Sequence, residues 1–300
     1  MKLTYFEHSP SNFGDAINAT MWAHLLPEGF FDQDESELFL GAGSILWGHT
    51  PKRPIKHVMG SGYGGYSGPP DMSDGSWNVV WVRGPLTAAT LGLAPRLAIA
   101  DAAVLLRETP LPDAADDVGV AFMPHFESTY RGRWADACAL AGITFIDPRW
   151  EPDRVIALIR GARLIISEAM HGAIVADALR TPWVGIVPFD PAHRMKWQDW
   201  AQALDIDLRT EQLMPSSALE AYTALSGKSG KARAAGILQR PWVPRRVFLH
   251  LAAARLRRVA EAASPQLSSD AMIHEVTARC LDALHGFAKA HAPRPTKTRA

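Results

Sequence analysis

The sequence contains little cysteine and no long apolar run. Cys138 and Cys280 are the two cysteines among 300 residues, and neither belongs to a CxxC pair. This excludes a disulfide scaffold and a cysteine-ligated metal site, and we expect two buried thiols in a reducing compartment. No stretch approaches the roughly 18 consecutive apolar residues of a spanning helix, and the first ten residues lack the apolar segment of a signal peptide. We therefore expect a soluble, cytoplasmic protein.

The sequence also has no excess of charge, since 31 Lys and Arg balance 31 Asp and Glu. This gives no reason to expect nucleic acid as a partner. The balance conceals an asymmetry, because residues 1–227 hold 17 basic and 27 acidic side chains while residues 228–300 hold 14 and 4. The change falls at a Gly/Ser/Lys run, residues 225–231, that is typical of a linker or an exposed loop. The chain thus combines an acidic body with a basic tail.

Short apolar runs alternate with helical patterns through the acidic body. Runs rich in Val and Ile that end in Gly, Ser, Pro or His are typical of buried parallel strands. The pattern predicts an α/β fold of two Rossmann-like domains facing a cleft, followed by a C-terminal helical segment. We expect a first domain at 1–112, a second at 113–227 and the basic tail at 228–300. Strands are predicted at residues 2–7, 38–40, 55–59, 79–82, 96–100, 118–122, 143–146, 162–166 and 183–187.

A glycine-rich run at residues 60–65, GSGYGG, matches the GxGxxG pattern of dinucleotide sites. It follows a predicted strand, but YSGPPD comes next rather than a helix. No acidic residue closes a strand about 20 residues later. We therefore exclude NAD binding and interpret the run as backbone lining a cleft. A Ser-His hydrolase is excluded too, because the sequence has no GxSxG elbow.

Candidate ligand-binding residues follow the first two predicted strands, where ligands of parallel sheets bind. Asn12, Gly14 and Asp15 stand between the first strand and the first helix, and Gly43 and Ser44 follow the second strand. In the functional interpretation, backbone N–H groups and Asp15 face a polar ligand. The alternative is that Asn12 and Asp15 only cap the helix around a tight turn at Gly14.

Two further candidates, Arg83 and His125, also stand at predicted strand ends. Arg83 precedes a helix that Pro85 begins, which suits a phosphate or carboxylate ligand. A structural salt bridge is the alternative for Arg83. His125 follows the strand at 118–122, where a lone histidine is more often a surface or capping residue than a catalyst.

The most specific motif is SEAMHG at residues 167–172, between a strand and a helix of small residues. Ser167 and His171 thus fall at a helix N-terminus, where bound anions are favoured. A helix cap with a packed histidine is the alternative. Arg194 and Lys196 supply two further cations near the same predicted edge, and Trp197 and Trp200 form either a sugar platform or core.

Taken in order along the chain, these motifs resemble the polysaccharide pyruvyl transferase family. The resemblance covers about residues 1–200 and looks closest to the branch that places pyruvate ketals on bacterial exopolysaccharides. One position departs from the pattern, since many members have Ser-x-Arg-x-His where this chain has Ala169. The motifs that carry the resemblance are NFGD at 12–15, GAGS at 41–44, Arg83-Gly, Asp101, Pro124-His125 and SEAMH at 167–171.

The resemblance implies a fold similar to GT-B glycosyltransferases, with the acceptor on the first domain and the donor on the second. It implies phosphoenolpyruvate as the donor and a terminal sugar of a lipid-linked oligosaccharide as the acceptor. Two sugar hydroxyls add to C2 of the enol while phosphate leaves. No redox cofactor is needed, and no His/carboxylate cluster in the sequence shows the spacing of a metal site.

That chemistry suggests roles for the candidate residues. His171 is the expected acid that protonates C3, oriented by Glu168. Arg83 is expected to neutralise the donor and the leaving phosphate, with Arg194 or Lys196 as alternatives for the missing arginine at position 169. Asp15 is the candidate base for the acceptor hydroxyl. The substrate-binding residues we expect are Asn12, Gly14, Asp15, Gly43, Ser44, His125, Ser167, Arg194 and Lys196.

Two other functions fit the same sequence. A GT-B glycosyltransferase using a nucleotide sugar would share the fold, although no clear ribose-binding acidic pattern is visible in the second predicted domain. A carbohydrate-binding protein without catalytic activity is suggested by Ala169. Binding of phosphoenolpyruvate but not of sugar nucleotides would argue against the glycosyltransferase. Release of phosphate would argue against the carbohydrate-binding protein.

The basic tail generates a prediction about membranes. Residues 244–263 form an amphipathic helix with Leu249, Leu256 and Val259 on one face and Arg246 and Arg257 on another. A second helix is expected from 270 to 291, and these helices either pack across the body or attach the protein to anionic lipid at the cytoplasmic face of the inner membrane. In the second case, vesicle co-sedimentation shows salt-sensitive binding to anionic vesicles that deletion of 240–300 abolishes. Equal binding by the truncated chain would refute the attachment.

Overall fold

The computed structural model describes residues 1–7, 9, 11–65, 67–226 and 245–291. Most of the predicted linker at 225–231, and the end at 292–300 predicted to be frayed, lie outside these residues. The strands are β1 (Lys2–Thr4), β2 (Glu37–Leu40), β3 (Ile55–Met59), β4 (Trp77–Trp81), β5 (Gly119–Met123), β6 (Thr144–Phe145), β7 (Ala162–Ser167), β8 (Trp183–Ile186) and β9 (Thr210–Glu211). The helices are α1 (Phe13–Leu25), α2 (Pro85–Thr90), α3 (Ser128–Arg131), α4 (Trp134–Ala141), α5 (Pro152–Gly161), α6 (Met170–Ala178), α7 (Arg194–Ala203), α8 (Ala218–Ser226), α9 (Arg245–Ala262) and α10 (Asp270–His291).

Strands β1 to β4 form a parallel sheet in chain order. Side chains of a strand alternate between the faces of its sheet, so Leu38 and Leu40 enter one core and Phe39 enters the other. Helices α1 and α10 contribute to the Phe39 side, whereas the other side is packed by α2 and by Ile45 and Leu46 of the β2–β3 loop. Both long loops of this sheet, β2–β3 and β3–β4, leave from the carboxyl ends of strands.

Strands β5 to β9 form a second parallel sheet in the order β6-β5-β7-β8-β9. The apolar run of β7 divides between two faces, because Leu164 and Ile166 pack with α4 and α9 while Ile165 packs with α5 and α6. Helices therefore cover both faces, as the continuous hydrophobic character of the strand predicts. The mixed α/β architecture with parallel sheets is confirmed.

One predicted strand, at residues 96–100, is wrong. The structure has a 3-10 helix at Pro95–Leu97 and only an isolated parallel bridge between Val82 and Ala98. Pro95 lacks a backbone N–H and has a fixed φ, so the segment starts as a turn. A second 3-10 helix, Ala102–Glu108, follows directly, with Asp101 as its N-cap.

The C-terminal helices are part of the core. Helix α9 packs on α4 and buries Leu249, Leu256 and Val259, and α10 packs against β4 and buries Leu284 and Phe287. The predicted amphipathic helix and the helix at 270–291 are confirmed. Because deletion of 240–300 would remove buried side chains, vesicle binding is better tested by exchanging exposed arginines of α9 for glutamine.

The structure also bears on the cysteines and on membrane insertion. Cys138 and Cys280 are both buried free thiols, as predicted, and burial raises the pKa of Cys138 to about 12. Across the described residues, every helix is too short or too polar to span a bilayer.

The packing of α9 predicts a stability difference between two leucines of the same helix. Leu256 is fully buried and Leu251 is 46% exposed. We expect Leu256→Ala to lower the free energy of unfolding by about 2–5 kcal/mol, because a cavity remains in the core. Leu251→Ala should change it by less than about 0.5 kcal/mol. Denaturant unfolding measures both, and equal effects would contradict the packing of α9.

Candidate active site

Loops at the carboxyl ends of both sheets enclose a cavity of about 470 Å³. The first sheet contributes the β1–α1 and β2–β3 loops, and the second contributes the β5–α3 loop, the start of α6 and the start of α7. This is where ligands of parallel α/β sheets bind. Six sequence-predicted residues line it, namely Asn12, Asp15, Ser44, His125, His171 and Lys196.

His171 lies in the first turn of α6 and faces Asp101, with 3.6 Å between Nε2 and Oδ1. Asp101 is completely buried, which opposes its charge, but the charges of His171 and Arg83 outweigh burial and lower its pKa. Among the described residues, His171 Nε2 and Asp101 Oδ2 have no hydrogen-bond partner. The pair therefore places the His171 imidazole in the cavity wall beside a buried carboxylate.

Gly14 allows His171 to occupy this position. A Cβ atom on Gly14 would lie 2.0 Å from His171 Nδ1, so a larger residue would displace the ring. Gly43 supports Asp15 in a similar way, since its φ is +128° and its Cβ would lie 3.1 Å from Asp15 Oδ1. Both predicted glycines thus shape the site without lining it.

Asp15 is a buried carboxyl group on the opposite wall from His125. Burial raises its pKa, while the charge of His171, a hydrogen bond from Asn12 and the charge of Lys196 act in the other direction. The Asn12 Nδ2–Asp15 Oδ2 distance is 2.6 Å. Asn12 is the N-cap residue of α1, but its side chain makes no hydrogen bond to the backbone N–H groups of the helix; its amide donates to the Asp15 carboxylate instead. A carboxyl of raised pKa in a cavity is a candidate proton acceptor.

His125, Glu127 and His193 form a cluster on the second wall. The His125 and His193 ring centroids lie 3.9 Å apart, and His193 Nε2 lies 2.9 Å from Glu127 Oε2. Burial, reinforced by His193, Lys196 and Arg131, lowers the pKa of His125 well below its ordinary value. Burial also lowers the pKa of His193, although Glu127 opposes it. Both imidazoles are therefore mainly neutral near pH 7.

Glu127 is the negative member of this cluster. Burial opposes its charge, but a hydrogen bond from His193 and the charge of Arg131 lower its pKa to about 2. The three ligand atoms lie within 4.8 Å of one another, which is compatible with a metal ion. Arg131 Nη2 already lies 2.6 Å from Glu127 Oε2, and the charge of Lys196 acts on His125. The charges of Arg131 and Lys196 therefore oppose a further cation in this cluster.

Glu168 does not contact His171, contrary to the expected orienting role. It is buried and accepts hydrogen bonds from the backbone N–H groups of His125 at 2.9 Å and Phe189 at 3.2 Å, and from the Ser128 hydroxyl at 3.0 Å. Burial raises its pKa. Glu168 thus holds the His125 loop, and Asp101 occupies the place beside His171. The carboxylate was misassigned because adjacent residues at a strand end point in different directions.

Three other predicted residues do not reach the cavity wall. Ser167 is buried and its hydroxyl donates to the carbonyl of Ala169 at 2.7 Å, so it stabilises the turn before α6. Arg194 is exposed at the first position of α7. Arg83 is completely buried beneath the wall. Lys196 is thus the predicted cation that the structure brings to the cavity.

Arg83 makes the structural salt bridge that the sequence left as an alternative. Its Nε donates to Asp199 Oδ2 at 2.9 Å, its Nη1 to Ser44 Oγ at 2.8 Å and its Nη2 to the Tyr63 carbonyl at 2.8 Å. A Cβ on Gly62 would lie 2.1 Å from Arg83 Cζ. The glycine-rich run therefore makes room for a buried guanidinium.

Sequence reasoning assigned no role to Glu127, His193, Trp47 or His49, all of which line the cavity. Glu127 is two residues beyond His125 in a predicted strand-end loop, which is a usable signal. His193 begins the motif that was considered only for its cations. Trp47 and His49 follow the GAGS motif, and their rings stack at 5.1 Å. No local sequence pattern predicts the stacking of Trp47 and His49.

The contrast between two arginines gives a test of the site geometry. Arg83→Met leaves Asp199 as an unpaired buried charge, so we expect a loss of about 3–5 kcal/mol in the free energy of unfolding. Arg194→Met changes an exposed side chain and should cost less than about 0.5 kcal/mol. Denaturant unfolding distinguishes them, and a fully stable Arg83→Met protein would show that Arg83 is not structural.

Comparison with known proteins gives the site its context. The sequence profile of the family described as polysaccharide pyruvyl transferase matches residues 50–190. The chain is 42% identical over 224 residues to the succinoglycan biosynthesis protein ExoV of Rhizobium meliloti (strain 1021), covering 74% of this chain and 70% of that protein. No solved structure matches. The chain therefore belongs to the polysaccharide pyruvyl transferase family and is a transferase.

Proposed function

We propose that this protein transfers pyruvate from phosphoenolpyruvate to a terminal sugar of a lipid-linked exopolysaccharide repeat unit. Two sugar oxygens form bonds to C2 of the enol, C3 gains a proton and the C2–O–phosphate bond breaks. The two hydroxyl protons leave with the phosphate and on C3, so that a ketal and inorganic phosphate result. The observation that carries the proposal is the meeting of the His171–Asp101 pair with His125 and Lys196 in one cavity.

The cluster around His125 suits the phosphate of the donor. The Glu127 backbone N–H lies 3.3 Å from His125 Nδ1, so Nδ1 accepts and Nε2 carries a proton that it donates to an anion. Lys196 adds a positive charge on the same wall. The start of α6 adds partial positive charge without a side-chain cap from Ala169. Together these groups are proposed to bind the phosphate in place of the arginine that many family members have at position 169.

His171 is proposed to protonate C3 of the enol. Asp101 lies beside His171 Nε2 and offsets the positive charge of the protonated ring. Asp15 faces the same cavity and takes the proton of the attacking sugar hydroxyl, since its pKa is raised by burial. Arg83 acts indirectly by holding Ser44 and the glycine-rich loop.

The acceptor is proposed to enter from a neighbouring cavity of about 500 Å³. The two cavities share Ile45, Trp47 and His49 in their walls. Aromatic side chains at this boundary suit the apolar face of a sugar ring. In this arrangement the saccharide chain lies in the neighbouring cavity, and its terminal sugar meets the donor in the active-site cavity.

The two sheets on either side of the site suggest the larger architecture. We propose GT-B-like domains at 1–112, the acceptor side, and at 113–227, the donor side, with α10 packed on the first and α9 on the second. Exposed Arg246 and Arg258 on α9 suit peripheral attachment to an anionic lipid surface at the cytoplasmic face of the inner membrane. That location would bring the site to a lipid-linked acceptor.

Phosphate release from phosphoenolpyruvate tests the proposal. Purified protein with phosphoenolpyruvate and lipid-linked oligosaccharides from exopolysaccharide-producing cells should release phosphate and form a pyruvylated product of the corresponding mass. His171→Gln should lower kcat by about 10²–10⁴-fold, because it removes a general acid. Lys196→Met should chiefly raise the KM for phosphoenolpyruvate.

The control is His24→Gln, which changes an exposed histidine of α1 away from the cavity. It should retain the activity of the unchanged protein. Near-normal turnover in a folded His171→Gln variant would remove His171 from the mechanism. Product formation from a nucleotide sugar instead of phosphoenolpyruvate would overturn the proposed donor.

A further inference from the structure

A second group of potential metal ligands lies at the opposite edge of the first sheet. Glu37 is the first residue of β2, His57 is the third residue of β3 and His291 ends α10. The active-site loops leave from the carboxyl ends of these strands, so this group is separate from the active site. One ligand atom from each of the three side chains lies within 4.8 Å of the other two.

Hydrogen bonds orient both imidazoles toward Glu37. His57 Nε2 lies 3.0 Å from Glu37 Oε2, while its Nδ1 lies 3.0 Å from the side-chain amide of Asn78. His291 Nδ1 lies 2.9 Å from the carbonyl of Phe287, so this nitrogen donates and Nε2 keeps its lone pair. In the structure Asn78 Nδ2 donates to His57 Nδ1, so the proton of His57 lies on Nε2 and points to Glu37. A metal ion at Nε2 would move this proton to Nδ1 and turn the Asn78 amide so that its oxygen accepts it. The bond from His291 to a main-chain carbonyl is the outer hydrogen bond typical of metal-binding histidines.

The Phe287 ring fixes the positions of both histidines. It lies 4.9 Å from the His57 ring and stacks on the His291 ring at 4.0 Å. The His57 side chain is 4% exposed and that of Glu37 is 43% exposed, so the cluster is closed on the protein side and open to water on the other.

We propose that Glu37, His57 and His291 bind a zinc ion, with water as the fourth ligand. Two imidazoles and a carboxylate suit Zn²⁺ better than Mg²⁺ or Ca²⁺, which prefer oxygen. Ligand bonds of about 2.0–2.2 Å require the three atoms to draw closer together, through rotation of the Glu37 side chain, which is 43% exposed, and of the half-buried His291 side chain. The Glu37 carboxylate makes no ion pair with an arginine or lysine among the described residues. The Glu127 carboxylate of the His125 cluster, by contrast, is paired with Arg131. The ion would fasten α10 to the first sheet.

Zinc titration of the full chain without a histidine tag tests this site. After removal of bound metals with a chelator, the protein should bind one Zn²⁺ per chain with a micromolar or lower Kd, and zinc should raise the Tm. His291→Asn should weaken binding by at least about tenfold. His285→Asn changes an exposed histidine of the same helix and should leave binding unchanged.

Cobalt provides a second readout. Co²⁺ in place of Zn²⁺ should give the strong visible absorption of a tetrahedral ion in the His285→Asn variant but not in the His291→Asn variant. Equal zinc affinity of the two variants, or the absence of stoichiometric binding by the unchanged protein, would overturn the proposal. His291 is half-buried at the end of α10, and neither variant replaces the buried His57, so these outcomes do not depend on the folding of a His57 variant.

Discussion

The arrangement of the active site depends on the buried ion pair between Arg83 and Asp199. Both side chains have no exposure to solvent, and such a pair is tolerated only when its remaining hydrogen-bonding atoms also have partners. The Arg83 guanidinium reaches Ser44 and Tyr63, and Asp199 accepts from the backbone N–H and the hydroxyl of Thr87. The pair thus ties α7, which carries Lys196, to the loops of the first sheet. Gly84 allows α7 to approach this closely, since a Cβ at position 84 would lie 2.1 Å from the Asp199 carbonyl oxygen.

This connection explains how one cavity holds groups with different tasks. The first sheet supplies Asp15, and the second supplies His171, His125 and Lys196. Burial keeps the imidazole of His125 neutral and raises the pKa of Asp15, so proton acceptors and anion-binding donors coexist near neutral pH. Charges in a partly enclosed cavity also act more strongly than charges in water. The proton acceptor and the anion-binding groups are therefore kept apart because their loops belong to different sheets.

Much of the fold and the neighbourhood of the site could be predicted from the sequence. Apolar runs identified most strands, and the rule that ligands bind at the carboxyl ends of parallel strands selected Asp15, Ser44, His125 and His171 correctly as residues of one cavity. The direction of a side chain at a strand end was beyond this reasoning. Glu168 and Arg83 point into the protein because buried backbone N–H groups and Asp199 offer them partners.

Contacts between distant parts of the chain were also beyond sequence reasoning. The His125 ring contacts the ring of His193, 68 residues later, and no local pattern encodes such a pair. The sequence left open whether the helices of the tail pack across the body or attach to lipid, and in the structure the apolar faces of α9 and α10 enter two of the cores. Amphipathic periodicity correctly predicted the helices but did not specify the surface on which they pack.

The position of bound phosphoenolpyruvate tests the central claim most directly. A crystal structure of the protein with this compound should show its phosphate beside Lys196 and His125 and its C3 atom within proton-transfer reach of His171. Binding of the compound away from His171, or on a surface formed by only one of the two sheets, would contradict this account of the site.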